Sequence, residues 1–166
     1  TPGARNSTYE GNIGPIFANL SHSPVVPAAS QDITVRTEAA DPDGVASVTL
    51  WWNVGGSGWT SAPMEAESSG ITSGTIPGQA AAALVQFYVE ATDGAGASST
   101  FPEGGRDSRA LFRVFDAQGR KGKPHVLRIL MLPADATFLH LDTNVMSNDY
   151  MPCTVVYDER MAAYDC

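Results

Sequence analysis

Apolar and polar side chains alternate over several short stretches between residues 33 and 92. In residues 33–40, Ile33 and Val35 fall on one side of an extended chain and Thr34 and Arg36 on the other. A period of two marks a half-buried β-strand. Residues 48–54 and 84–92 repeat the pattern, and shorter apolar runs occupy 16–20, 71–76 and 110–115. The pattern therefore predicts six or seven short strands.

Turn-forming sequences separate these stretches, namely Asp41-Pro42-Asp43-Gly44, Pro77-Gly78 and Asp93-Gly94. Asp side chains, the fixed φ of Pro and the freedom of Gly all favour tight turns. Short strands without a helical period predict a mainly β fold, an antiparallel immunoglobulin- or fibronectin type III-like sandwich. Because these strands carry no cysteine pair, the fibronectin type III style fits better.

The pattern changes after residue 125. An apolar strand is predicted at 126–132, and Pro133 with Asp135 favours the start of a helix. Phe138, Leu141 and Val145 follow at helical spacing, and strands at 153–158 and 161–166 complete a hairpin. This predicts a partial α+β segment of one strand, one helix and a β-hairpin.

Four parts follow along the chain: a linker with the first strand (1–23), the sandwich (24–119), a basic Gly/Pro-containing linker (120–125) and the α+β segment (126–166). One strand, one helix and a hairpin do not close a core of their own. We therefore expect 126–166 to be the beginning of a second domain, which packs against the sandwich or drives self-association through exposed apolar edges.

The net charge of the chain limits the classes of partner that it is expected to bind. The 166 residues contain 18 acidic and 10 basic side chains, a formal charge of −8, and 12 of the acids but only 5 of the bases lie in residues 1–119. An acidic surface repels phosphate backbones and anionic membranes, so no nucleic-acid partner is expected. No apolar stretch approaches the roughly 18 residues of a membrane helix, so no membrane insertion is expected either.

The order of several motifs resembles a known domain series. Residues 125–166 are similar to the opening of the spore-coat protein H kinase family domain, through the strand ending at Pro133, the Met146-Ser147-Asn148-Asp149 stretch, the Thr154-Val155-Val156-Tyr157 strand and Tyr164-Asp165. The segments SHSPVVPA, DPDGVASVTLWW, TIPGQ, VQFYVEATDGAG and SRALFRV resemble the immunoglobulin-like module that often precedes that domain. TPGARN, at 1–6, looks like the end of a lamin-tail-type domain.

This resemblance implies a large secreted or envelope-associated bacterial protein whose family transfers phosphate from ATP to serine. The nucleotide- and metal-binding residues of such a domain lie downstream of Cys166, so we expect no catalytic residue, no nucleotide cofactor and no enzyme activity here. The expected function is that of a non-catalytic spacer that positions a kinase-like domain, with adjacent domains of the same chain as partners. The alternatives are a carbohydrate- or ligand-binding module, or a piece of the nucleotide-binding lobe of an ATP-dependent protein serine kinase.

Asp41 and Asp43 are candidate calcium ligands. Ca²⁺ takes six to eight oxygen ligands, and Asp32, Glu38 or Asp93 would have to supply more. The alternative is an ordinary, metal-free Asp-Pro-Asp-Gly turn, since the ligand spacing of an EF-hand is missing.

Trp51, Trp59 and Tyr88 form a second candidate, an aromatic face for sugar rings. Trp51 and Tyr88 fall on the outward side of their strands if Trp52 and Phe87 point inward. The alternative is that these rings pack against the protein itself.

Cys153 and Cys166 face each other if Glu159 and Arg160 are the central residues of the hairpin turn. That register gives a non-hydrogen-bonded pair with Cα atoms about 4.5 Å apart, within disulfide reach. Two free thiols, or a bond to a partner elsewhere, are the alternatives. The three histidines are scattered, without the spacing of a zinc pair.

Overall fold

The computed structural model of the chain describes residues 11–67, 70–118, 125–144, 146–147 and 149–166. The TPGARN stretch, all of the predicted linker except His125, Val145 and Asn148 lie outside the described residues.

Two antiparallel sheets form the sandwich. The first contains β1 (Ile16–Ser23), β2 (Ile33–Ala40), β5 (Glu65–Ala66) and β6 (Ile71–Ile76), in the order β1-β2-β6-β5. The second contains β3 (Val45–Val54), β4 (Trp59–Pro63), β7 (Leu84–Asp93), β8 (Ser98–Phe101) and β9 (Leu111–Arg113). Its order is β4-β3-β7-β8, and β9 pairs with the other half of β7. This is the strand order of an immunoglobulin-like sandwich, which confirms the predicted fold class.

The core lies between the sheets and is built from the predicted inward positions. β2 and β3 place alternate side chains there, and these are buried while their neighbours are more exposed. Fully buried side chains of this core include Ile33, Val35, Leu50, Ile76, Val85, Phe87, Val89 and Phe112. Burial of this apolar surface is the main favourable contribution to folding.

Three strands were not predicted, namely β4, β8 and the two-residue β5. Residues 59–63 were expected to be loop, yet β4 pairs with β3 from Asn53↔Trp59 to Thr49↔Pro63. β4 has no buried residue, because it is an edge strand held by backbone hydrogen bonds and therefore has no clear apolar alternation. β8 has the same character, with no buried residue.

The C-terminal segment is the predicted strand, helix and hairpin. β10 (Leu127–Leu130), β11 (Thr154–Tyr157) and β12 (Met161–Ala163) form an antiparallel sheet in that order, and α1 (Pro133–Leu139) follows β10. Leu132 is the N-cap of α1 and Pro133 lies in its first turn, which suits a residue without an N–H. The helix ends before Leu141, earlier than the apolar spacing predicted.

Candidate functional site

The C-terminal segment is fixed to the sandwich through Tyr164, which follows β12. The Tyr164 ring packs edge-on against Phe87, with centroids 5.5 Å apart, and its hydroxyl lies 2.6 Å from Nδ1 of His22 on β1. The other ring nitrogen, Nε2, lies 3.0 Å from the Val25 carbonyl oxygen. Because a carbonyl only accepts, Nε2 carries the proton and Nδ1 accepts the hydrogen bond from Tyr164.

Burial keeps both partners of this bond uncharged. His22 is only 4% exposed, and desolvation lowers its pKa to about 4, against a smaller opposing effect of its bond to Val25. Burial also raises the pKa of the Tyr164 hydroxyl. A neutral histidine and a neutral tyrosine therefore connect two parts of the chain that are 142 residues apart.

Arg109, just before β9, makes the second set of contacts. Its guanidinium binds Asp135 of α1 through two bonds, Nε to Oδ2 at 2.5 Å and Nη2 to Oδ1 at 3.1 Å. Both side chains are largely buried, at 17% and 12% exposed, and the bond to Asp135 raises the pKa of Arg109. Two-point Arg–carboxylate pairs fix orientation as well as distance.

Backbone contacts of Arg109 complete this set. Its N–H donates to Oδ1 of Asp165 at 2.8 Å, and its carbonyl accepts from the Thr154 hydroxyl. That hydroxyl also accepts from the N–H of Leu111, at 2.9 Å. Thr154 is fully buried, and its hydroxyl holds β11 against β9 by both donating and accepting a hydrogen bond.

Apolar side chains fill the space beneath these polar contacts. Leu111 of the sandwich packs with Leu130 of β10 and Val156 of β11, and Val25 and Leu84 lie against them. We call the contacts of Tyr164, Asp165, Asp135 and Thr154 with the sandwich, together with this apolar cluster, the joint.

An ion-pair network borders the joint. Arg128 of β10 lies 3.3 Å from Asp116, which follows β9, and 3.0 Å from Glu159 in the hairpin turn. Burial alone would raise the pKa of Asp116, but the Gln118 N–H and the neighbouring Arg128 and Arg113 lower it. The carboxylate therefore stays charged and paired at the edge of the joint.

A cavity of about 320 Å³ lies beside α1, between the sandwich and the C-terminal segment. It is lined mainly by Leu84, Leu132, Pro133 and Ala134, with Gln86 as one of its few polar side chains. The Gln86 amide already donates to the carbonyls of Arg106 and Ser108. The lining of the cavity is mainly apolar, with Asn53 as its other polar side chain.

At the opposite end of the strands, the structure brings together Asp41, Asp43 and Asp93. One carboxylate oxygen from each lies within 4.8 Å of the others. Asp41 accepts from the Asp43 N–H at 2.7 Å, as in an ordinary Asx turn. Of the other predicted ligands, Asp32 accepts from the Gly78 N–H and Glu38 from the Asn19 amide, so neither belongs to this group.

Asp93 is the buried member of the group, at 2% exposed. Burial would raise its pKa, but hydrogen bonds from the Asn12 amide and from backbone N–H groups lower it. Those of Ala95 and Ala97 both lie 2.9 Å from Oδ1. Asp93 thus has a structural role in the β7–β8 turn, and calcium binding by the three carboxylates remains a prediction.

The three predicted aromatic residues lie together on the outer face of the second sheet. Trp51 and Tyr88 are parallel, with centroids 6.1 Å apart, and Trp59 meets Tyr88 edge-on at 5.0 Å. The Arg106 guanidinium carbon lies over both indoles, 5.4 Å from the Trp51 centroid and 5.9 Å from that of Trp59. Tyr88 is only 4% exposed. Arg106 therefore covers the rings through cation–π contacts, as expected if they pack against the protein itself.

Cys153 and Cys166 face each other as predicted, but their backbone hydrogen bonding differs from the prediction. The two residues exchange both backbone hydrogen bonds, at 3.1 and 2.9 Å, so they form a hydrogen-bonded pair rather than the expected non-hydrogen-bonded one. The turn differs from the prediction, because Asp158 and Glu159, both at positive φ, are its central residues and Tyr157 pairs with Met161. That register alone would place Cys153 opposite Asp165, so the strand after Ala163 accommodates one extra residue before Cys166, where Asp165 is also at positive φ. Both thiols are free in this structure.

The histidines lie on different parts of the chain. His22 is buried in the sandwich, His125 contacts Asp158 and the Tyr157 hydroxyl before β10, and His140 follows α1. Sequence reasoning missed the roles of His22, Arg109 and Asp135. No local motif marks such residues, since each is defined by a partner far away in the chain.

Comparison with protein-family models and with curated proteins found no match to this chain. Among the described residues, no helix is both long and apolar enough to cross a bilayer.

Proposed function

We propose that this chain is a non-catalytic structural spacer of a larger secreted or envelope-associated bacterial protein. In this proposal the sandwich holds the segment after it, and a kinase-like domain of the spore-coat protein H type to which that segment belongs, in a fixed orientation. The observation that supports it is the joint, in which Tyr164 of the C-terminal segment packs against the core of the sandwich.

The joint restrains rotation as well as separation. Its polar contacts involve three places in the C-terminal segment, namely α1 through Asp135, the start of β11 through Thr154 and the end of the hairpin through Tyr164 and Asp165. Three non-collinear attachments define the orientation of one body on another. Single attachments through a Gly/Pro linker would leave it free.

The contacts of the joint make separation of the two parts costly. The three central residues of the apolar cluster, Leu111, Leu130 and Val156, are buried, and the Thr154 hydroxyl both donates and accepts a hydrogen bond. Breaking such contacts would leave buried polar groups unpaired, which costs about 1–3 kcal/mol each.

Limited proteolysis of the full chain tests the spacer role. We expect residues 125–166 to resist cleavage in the parent protein and to become sensitive in the Tyr164→Ala, Asp135→Asn double variant, while the sandwich stays folded. Leu127→Ser is the matched control, since Leu127 is 62% exposed and its side chain is on the side of β10 away from the joint. Equal sensitivity of residues 125–166 in all three proteins would refute the proposal.

Nucleotide binding separates this function from the kinase-lobe alternative. We expect no heat of binding when ATP with Mg²⁺ is titrated into the chain by calorimetry. Saturable binding would contradict the spacer proposal and favour a contribution to a nucleotide-binding lobe.

A further inference from the structure

The open end of the β11–β12 hairpin carries two thiols directly opposite each other. Cys153 and Cys166 exchange both backbone hydrogen bonds, and in such pairs the Cα atoms are about 5.5 Å apart. Disulfides span Cα distances of about 4.4–6.8 Å, most often 5.5–6 Å. The backbone separation therefore already suits a covalent link.

We propose that Cys153 and Cys166 form a reversible disulfide that closes the open end of the C-terminal hairpin, next to the residues that contact the sandwich, a thiol latch on the joint. This goes beyond the spacer function, because it makes the firmness of the joint depend on the redox state of its surroundings.

The position of the two cysteines makes such a link mechanically effective. Cys153 precedes Thr154, whose hydroxyl binds Arg109 and Leu111, and Cys166 follows Tyr164 and Asp165. Strand ends fray first, and this end of the hairpin holds the residues that enter the joint. A covalent link there would keep both strands in place even when the hydrogen bonds open.

The exposure of the pair makes the link reducible. Cys166 is exposed and Cys153 is partly exposed, so a reducing thiol can reach the bond. Exposed disulfides are among the more readily reduced ones.

The chemistry requires a disulfide oxidant such as oxidised glutathione. One cysteine thiolate attacks a glutathione sulfur and releases one glutathione thiolate, and the second cysteine attacks the mixed disulfide and releases the other. Overall, the two protein thiols lose two protons and two electrons, and oxidised glutathione is reduced to two thiols. Cys166 is exposed and Cys153 is partly exposed, so the oxidant has access.

The ionisation of the two thiols sets the rate at which the disulfide forms. Burial, with the neighbouring Cys166, raises the pKa of the Cys153 thiol. Because the thiolate is the nucleophile, latch formation should accelerate as the pH rises above neutrality.

The test compares the full chain after reduction and after incubation with oxidised glutathione. We expect an intramolecular link, seen as a loss of about 2 Da and of both alkylatable thiols, and amide exchange at Tyr164 and Asp165 about tenfold slower than in the reduced protein. Millimolar reduced glutathione should reverse both changes. The control variants Cys153→Ser and Cys166→Ser should bind only one glutathione and show no slowing.

Three results would overturn the proposal. One is that oxidation gives only mixed disulfides or linked dimers in the parent protein. Another is that the internal link forms without slower exchange at Tyr164. The third is that millimolar reduced glutathione fails to reduce the link, which would make it a permanent disulfide and not a reversible one. None of these results concerns the spacer role, which the proteolysis of the reduced protein tests separately.

Discussion

Acidification from pH 7 to pH 5 is expected to destabilise the folded chain through His22. The folded protein holds this side chain neutral down to a pKa of about 4, whereas its ordinary pKa is 6.5. Between these two values the unfolded chain binds a proton that the folded chain excludes, so stability falls as the pH falls. The contribution is fully present above pH 6.5 and lost below about pH 4.

The size of this loss of stability follows from the lowered pKa of His22. The difference between pKa values of 6.5 and about 4 corresponds to about 3 kcal/mol in total. Between pH 7 and pH 5 the loss amounts to about 2 kcal/mol. That is a large fraction of the about 5–15 kcal/mol by which folded proteins are usually stable.

Urea unfolding at pH 7, 6 and 5 measures this loss, with His22→Gln as the matched control. Glutamine keeps an N–H donor for the Val25 carbonyl and does not titrate, so the variant should be less stable at pH 7 but should depend less steeply on pH. Parallel pH dependence in both proteins would refute the reasoning. An NMR titration that places the pKa of His22 in the parent protein near 6.5 would refute it as well, whether or not the variant folds.

Three further predictions concern other parts of the chain. Gly14→Ala should destabilise the protein by about 1–3 kcal/mol, because a Cβ at this position would lie 2.6 Å from a carbonyl carbon of β8. In the control variant Gly11→Ala the added Cβ meets nothing within 4 Å, so its thermal unfolding should change little. Millimolar Ca²⁺ should raise the melting temperature of the parent protein but not of Asp41→Asn, Asp43→Asn, and an unmoved midpoint in both would refute the calcium site. Soluble polysaccharide in excess should leave tryptophan emission unchanged, because Arg106 covers the indoles, and a saturable shift would favour a sugar-binding face.

Much of the fold could be predicted from local pattern. β2 and β6 have the predicted bounds, and β3 and β7 extend the predicted strands by at most three residues. This worked because a sandwich strand buries one face, so every second side chain must be apolar. The edge strands β4 and β8 bury too little to leave such a pattern, and backbone hydrogen bonds decide their existence.

The candidate sites also differ in how far local sequence could reveal them. The sequence alone pointed to Asp41 and Asp43 and to the facing cysteines, because turn chemistry and hairpin pairing are local. It placed the hairpin turn one residue too late, since two positive-φ residues, Asp158 and Glu159, change the register. An extra residue between Ala163 and Cys166 offsets this shift, so Cys153 still lies opposite Cys166, but as a hydrogen-bonded pair.

The sequence by itself thus determined a mainly β chain with a sandwich, a following α+β segment and the inward faces of its main strands. Only the tertiary structure decided that Tyr164 reaches His22, that Arg109 binds Asp135 and that Arg106 lies over Trp51. The physical reason is the distance along the sequence over which each kind of interaction acts. Burial imposes a periodic pattern that neighbouring residues reveal, whereas a hydrogen bond or ion pair between distant elements requires only that the folded chain bring two side chains within about 3 Å of each other.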